Sequence, residues 1–257
     1  MNTMMLWLPL LLLVPVFLLG WWRQQQSRNA GWVDVLWAAC TGLTGVAMAA
    51  TGAGDPWLRV LVAAIYAVWF GRLSWHLWRR IAGHPEEGRY VHMRAWAGER
   101  SGRVFLVFYL MQASWVWLFA LPAWVVSQGQ LPAPLLMVLG VVIVIMAWVG
   151  ETLADHQLAR FRATPGHRGK TCREGLWRYS RHPNYFFEWL HWFAYPLLGA
   201  SAPGGEWLWL APLMVFVFLY FVTGIPFTEQ QALRTRGEDY RRYQQTTSLF
   251  IPWRPKP

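Results

Sequence analysis

The run Arg178-Tyr179-Ser180-Arg181-His182-Pro183-Asn184-Tyr185-Phe186-Phe187-Glu188 carries an amide, a phenol and a carboxylate into the head of an apolar segment. Polar and ionisable groups are costly in hydrocarbon, so their presence there marks a site rather than a filler. Asn184 and Glu188 are spaced to share one face of a helix, with His191 continuing it. An amide offers N–H donors and a carbonyl acceptor, and a carboxylate adds further acceptors. That set suits a carboxamide or an adenine ribose better than it suits a phosphate.

The segment before it supplies the complementary chemistry. Glu151, Asp155, Leu158 and Arg162 fall on another helical face, and Arg160, Arg162, Arg168 and Lys170 follow in the next loop. Arginine binds phosphate through two parallel N–H groups, so these cations suit a pyrophosphate or a 2′-phosphate. No GxGxxG or GxxxxGK[ST] motif occurs, which argues against a Rossmann or P-loop site.

The elements that must position these groups are membrane helices. The chain is 55% hydrophobic and 14% charged with 20 Trp, a balance unlike that of a soluble or a disordered domain. Apolar runs of about 20 residues, enough for a helix to cross a bilayer, recur at 4–22, 32–53, 57–78, 104–126, 132–154, 184–200 and 207–225. The expected fold is therefore all-α, with seven transmembrane helices. Lys and Arg cluster in alternate connections, which places the N-terminus outside and the C-terminus in the cytosol. Gly83–Arg103 reads as a partly helical surface segment, and the 155–181 loop as a helical extension that breaks at Thr164-Pro165-Gly166.

On this topology Asp34, Arg72, His76, Asp155, Asn184, Glu188 and Glu229 all lie just below the cytosolic surface. Polar groups converging at one depth from several helices imply a shared vestibule open to the cytosol. The formal charge of +10 belongs to loops beside apolar spans. It reads as topology signal and anionic-lipid contact rather than nucleic-acid binding. Cys40 lies in a span and Cys172 in a cytosolic loop, so no disulfide is expected, and no spacing suggests a metal site. Residues 1–257 read as a single domain, ending in Ile251-Pro252-Trp253, an apolar stretch suited to folding back on the membrane surface.

These motifs carry a resemblance. From Glu151 onward the chain resembles the C-terminal half of the steroid 5-alpha-reductase superfamily, and most of all a bacterial branch carried as a domain of unknown function. The matching elements are Asp155-His156-Gln157-Leu158 with Arg162, Gly175-Leu176-Trp177-Arg178-Tyr179, Ser180–Glu188, and Glu238-Asp239-Tyr240 with Ile251-Pro252-Trp253. The resemblance implies a bacterial inner-membrane reductase that binds NADPH from the cytosol. Its substrate would be a steroid-like or other lipid bearing an activated carbon–carbon double bond. Asn184 and Glu188 would hold the nicotinamide side, with Tyr179 and Tyr185 beside them in the same element. Asp155, Leu158, Arg162, Lys170 and Tyr240 would hold the adenosine and phosphates, and Arg72 with His76 would reach in from the third span. The family polarises the substrate carbonyl with a second-span Gln-Glu pair and a third-span Tyr. Here those positions hold Asp34 and Trp69, so the acid is left between Asp34, Tyr66 and a water.

A second enzyme class shares part of the pattern. Membrane methyltransferases of the isoprenylcysteine carboxyl type, which use S-adenosylmethionine, carry an Arg-His-Pro-x-Tyr element, a late Glu and a Tyr-bearing tail. Arg181-His182-Pro183-x-Tyr185 stands in the first of those places. A lipid-binding or transporter-like bundle is the non-enzymatic alternative. It predicts polarity through both leaflets, whereas the polar groups here lie on one side.

Overall fold

The computed structural model describes residues 4–222 and 224–256. Among these residues every regular element is helical and none is a strand. Six helical segments are long and apolar enough to cross a membrane: Leu6–Ser27, Trp32–Ala50, Pro56–Ile81, Gly88–Val126, Pro134–Ala163 and Gly205–Thr246. The chain is an all-α integral membrane protein. The hydropathy count of seven differs from this at 184–200. That stretch forms two short helices, Pro183–His191 and Ala194–Leu198. A nine-residue helix rises only about 14 Å, under half of the roughly 30 Å hydrocarbon core. Pro196 accounts for the break, because it has no N–H to return to Trp192. The chain instead tightens, with Trp192 N–H bonding Trp189 O and Phe193 N–H bonding Leu190 O, each at 3.2 Å.

Two compact units divide the chain: Met1–Pro132 with Leu198–Gly205, and Ala133–Leu197 with Glu206–Pro257. The first contains α1 (Met4–Ser27), α2 (Trp32–Ala50), α3 (Pro56–Ile81), α4 (Gly88–Ala97) and α5 (Ser101–Val126). Asp55 caps α3 by accepting from Trp57 N–H at 2.8 Å and Leu58 N–H at 3.2 Å. Pro56 opens that helix and Arg79 and Arg80 close it, which suits the helix dipole at both ends. Gly45 lets α2 and α3 approach closely, since a Cβ there would meet the Tyr66 ring at 2.0 Å. Leu11, Leu12, Leu19 and Trp22 of α1 are exposed, as a lipid-facing row requires.

The amphipathic α4 is pinned by ion pairs. Glu86 takes Arg94 through both oxygens, at 2.8 and 3.2 Å, and also accepts the Ala30 N–H at 2.8 Å. Arg94 further donates to Gln24 Oε1 at 3.1 Å, so one partly buried pair joins the end of α1, the approach to α2 and α4.

The second unit contains α6 (Pro134–Ala163), α7 (Pro183–His191), α8 (Ala194–Leu198, all but its last residue), α9 (Leu210–Val217) and α10 (Ile225–Thr246). The helical extension of α6 ends at Ala163 and the chain breaks at Thr164, as the Pro-Gly pair predicts. The loop that follows is tied down at both sides. Trp177 Nε1 donates to Ala154 O at 2.9 Å, and Leu176 N–H donates to Gln157 Oε1 at 2.9 Å. Tyr243 of α10 donates to Trp177 O and Ser180 O. Gly237 takes φ 52° inside α10, a left-handed conformation that glycine adopts without strain, and the helix kinks there.

Candidate functional site

Within the second unit the strongest polar assembly forms around Glu229, one turn into α10. Its Oε1 lies 3.0 Å from His182 Nε2 and 3.3 Å from Arg181 Nε, and it also accepts the Tyr240 hydroxyl. Oε2 accepts the Gln244 side-chain amide. Arg181 is fixed in turn by donating from Nη1 to Gln244 O at 2.9 Å, and its backbone N–H bonds Ser248 O at 2.9 Å. Local sequence explains the convergence. Pro183 begins α7, so His182 and Arg181 sit on the approach to a helix, while Pro226 lies in the first turn of α10 and Glu229 follows one turn in.

Arg181 and Glu229 side chains are only 10% and 13% exposed, so their attraction is little screened by water. His182 is 2% exposed. Burial pushes its imidazole below the ordinary histidine range, and the hydrogen bond and charge of Glu229 oppose that shift in part. A neutral ring whose Nε2 faces a carboxylate carries its proton on that nitrogen, which leaves Nδ1 as an acceptor. Tyr185 lies against the same ring, with centroids 5.4 Å apart and planes within 6°. Its hydroxyl is 3.3 Å from Thr228 Oγ1.

The residues singled out from sequence divide between the units. In the second, Asn184 Nδ2 donates to Asp155 Oδ1 at 3.5 Å, so these two do come together. Tyr185 and Tyr240 both join the Glu229 assembly. Glu188 accepts from the Trp192 indole at 3.0 Å within the corner after α7. Leu158 packs against Phe161, Cys172 and Trp177. Burial raises the Cys172 thiol above its ordinary range, which makes it a packing residue rather than a reactive thiolate. Arg162 and Lys170 are exposed, and so is Tyr179. His191 is fully buried, with Nε2 2.7 Å from the Tyr195 hydroxyl.

Asp34, Tyr66, Arg72 and His76 belong to the first unit. Asp34 accepts from Arg89 on one oxygen and from the Tyr90 hydroxyl, at 2.8 Å, on the other. Both oxygens act as acceptors, the pattern of an ion-paired carboxylate. Tyr66 is buried, and its hydroxyl donates to Phe119 O at 2.8 Å. The Arg72 guanidinium carbon lies 5.9 Å from the centre of the Trp69 ring.

Sequence reasoning gives no individual role to Glu229, Arg181, His182 or Gln244. The Arg-His-Pro-x-Tyr element was the available signal for Arg181 and His182. Gln244 carries no signal, since nothing in a helical tail marks one glutamine among several.

Over 79 residues the chain is 32% identical to Methanethiol S-methyltransferase 1 of Bradyrhizobium diazoefficiens, a stretch that makes up 31% of this chain. The same stretch is 25% of that enzyme, so the chain matches about a quarter of its relative's length. No solved structure matches the chain. Residues 20–247 match a family model described as protein of unknown function (DUF1295), and the chain, an all-helical membrane protein with Glu229 gathering His182, Arg181 and Tyr240, belongs to that family.

Proposed function

We propose that this protein is a membrane methyltransferase that moves a methyl group from S-adenosylmethionine to the sulfur of a small, bilayer-soluble thiol. The observation that carries this reading is the meeting of Arg181, His182, Tyr185 and Tyr240 around Glu229. Arg181, His182 and Tyr185 belong to the Arg-His-Pro-x-Tyr element in which the chain resembles membrane methyltransferases. The similarity to the methanethiol enzyme gives the acceptor class.

The donor set fits the cofactor. Arg181 and Glu229 present a paired cation and anion, the complement of an amino-acid zwitterion. The ring faces of Tyr185 and Tyr240 suit a sulfonium, which aromatic quadrupoles attract. Asn184 and Asp155 offer an amide and a carboxylate to ribose hydroxyls. When bound, S-adenosylmethionine supplies a methyl carbon already activated by its positive sulfur. The chain's own residues have the remaining work: Arg181 and Glu229 hold one end, the tyrosines orient the reacting centre, and the apolar helices keep water from it.

A second reading is NADPH-dependent reduction of an enone in a steroid-like or other lipid. It rests on the steroid 5-alpha-reductase resemblance and on the Asn184–Asp155 contact, with Arg162, Lys170 and Glu188 as further ligands. One experiment separates the two. The purified full chain is heated in detergent with S-adenosylmethionine, NADPH or NADH, because a ligand of the native state raises apparent stability. Stabilisation by S-adenosylmethionine, with dimethyl sulfide formed from methanethiol, is expected. Stabilisation by NADPH alone would replace methyl transfer with reduction.

A further inference from the structure

The C-terminal strap after α10 forms a second feature that the Glu229 assembly does not use. It is fastened to the second unit at successive points. Arg181 N–H bonds Ser248 O at 2.9 Å, and Ser180 Oγ donates to Phe250 O at 2.8 Å. Trp253 N–H bonds Tyr179 O at 2.9 Å, and Lys256 N–H bonds Thr246 O at 2.8 Å. The backbone is therefore held in place and Phe250 is buried, yet Ile251 and Trp253 of the strap and the neighbouring Tyr179 remain exposed. Trp253 is 72% exposed, Ile251 56% and Tyr179 42%.

Between them lies a cleft of about 430 Å³ lined by Tyr179, Pro252, Trp253 and Arg254. That size falls in the range of small-molecule sites. The lining is two aromatic rings, a proline and a guanidinium, with no acid. Arg178 and Lys256, both exposed, flank the lining residues in sequence. Water does not reward fixed, exposed indole and isoleucine side chains; each would gain by leaving it. Indole and phenol rings beside arginine and lysine are the chemistry of the bilayer interface, where rings sit among headgroups and cations meet phosphate.

We propose that this cleft seats the headgroup of an anionic phospholipid, with Arg254 on the phosphate and the Tyr179 and Trp253 rings against the glycerol and upper acyl chain. Charge complementarity selects this occupant, because a cationic, acid-free lining favours an anionic headgroup over a zwitterionic one. The seated lipid would hold the strap, and through Tyr179 and Ser180 the approach to Arg181 and His182, at a fixed level in the membrane.

The test uses the full chain in detergent, titrated with phosphatidylglycerol, phosphatidylcholine or inorganic phosphate, and read by native mass spectrometry and by thermal stability. Phosphatidylglycerol is expected to remain bound and to raise the melting temperature, with phosphatidylcholine much weaker. Arg254→Gln should weaken phosphatidylglycerol about fivefold, the effect of one interfacial cation. Trp253→Ala should weaken it while leaving the melting temperature without lipid unchanged, since its side chain is exposed. Arg178→Gln provides a second charge variant should either of these fail to fold. Equal binding of both lipids would overturn the proposal, as would wild-type affinity in the variants. An equal response to inorganic phosphate would assign the cleft to a soluble anion and overturn the lipid.

Discussion

His182 and Glu229 stand 3.0 Å apart, imidazole Nε2 to carboxylate Oε1, and the same oxygen receives the hydroxyl of Tyr240. One carboxylate thus joins the entry to α7, the early part of α10 and the stretch of α10 beyond its kink. Removing its charge strands the others. Glu229→Gln leaves Arg181 largely buried without its anion, and breaking such a pair costs about 3 kcal/mol. Tyr240→Phe removes one hydrogen bond to a charged acceptor, worth about 2 kcal/mol. Melting of the two variants should therefore fall in that order. S-adenosylmethionine binding should be lost in Glu229→Gln and only weakened in Tyr240→Phe. Undiminished cofactor affinity in Glu229→Gln, measured by calorimetry, would remove Glu229 from the binding site.

Stability should depend on pH through His182. Burial lowers its pKa in the fold relative to the unfolded chain, where an unperturbed histidine titrates near pH 6.5. As pH falls, the unfolded chain binds this proton first, so stability drops. The contribution is complete above about pH 6.5 and is lost on descending through that value toward the folded-state pKa. Thermal melting should be lower at pH 5.5 than at pH 7.5. His182→Gln, which keeps a donor for Glu229, should flatten that slope; an unchanged slope would assign the titration to another group.

The parts of this architecture that were legible in the sequence are those set by local chemistry. The apolar runs 57–78 and 132–154 fall within α3 and across the start of α6, and Thr164-Pro165-Gly166 marks where α6 stops. Hydropathy alone could not show that 184–200 breaks, because an apolar run reads the same whether continuous or bent. Pro196 was the one residue that carried that information. The Glu229 assembly was half legible. Arg181, His182 and Tyr185 are adjacent and conspicuous, but their partner lies in another helix, and periodicity does not report which helices meet. Asp34 illustrates the same limit. Its place in the second span is legible, but its partners, Arg89 and Tyr90, come from a helix whose docking no hydropathy pattern encodes.

That helix supplies a prediction about local stability. Arg94 and Glu86 side chains are 18% and 9% exposed, and Glu86 also holds the Ala30 N–H. Glu86→Ala therefore leaves a nearly buried guanidinium and an orphaned backbone donor, at a cost of about 3 kcal/mol. The loss should be local before it is global. Hydrogen exchange in 86–97 should accelerate by more than tenfold, while amides of α10 keep their protection. Uniform acceleration across the chain would show that α4 docking is coupled to the whole fold.

Tyr66 offers the clearest separation of structural from chemical roles. It is buried between Gly45 of α2 and the Phe119 carbonyl of α5, to which its hydroxyl donates at 2.8 Å. Tyr66→Phe keeps the ring and removes that bond, so stability should fall by about 1 kcal/mol. Turnover should stay within about twofold of wild type if the phenol serves packing, whereas loss of the general acid that enone reduction would require costs on the order of 100-fold. Gly45→Ala acts on the ring itself: a methyl 2.0 Å from it forces Tyr66 to move. Overpacking of this kind costs about 2 kcal/mol. The cost of Gly45→Ala comes from the ring alone, so it should persist beside Tyr66→Phe and shrink only where the ring is gone. In a Tyr66→Leu background, where the ring is absent, Gly45→Ala should cost much less. Additive losses in that cycle would mean that α2 and α3 are held together elsewhere, and a 100-fold fall in turnover for Tyr66→Phe at near-normal stability would return the phenol to the reaction.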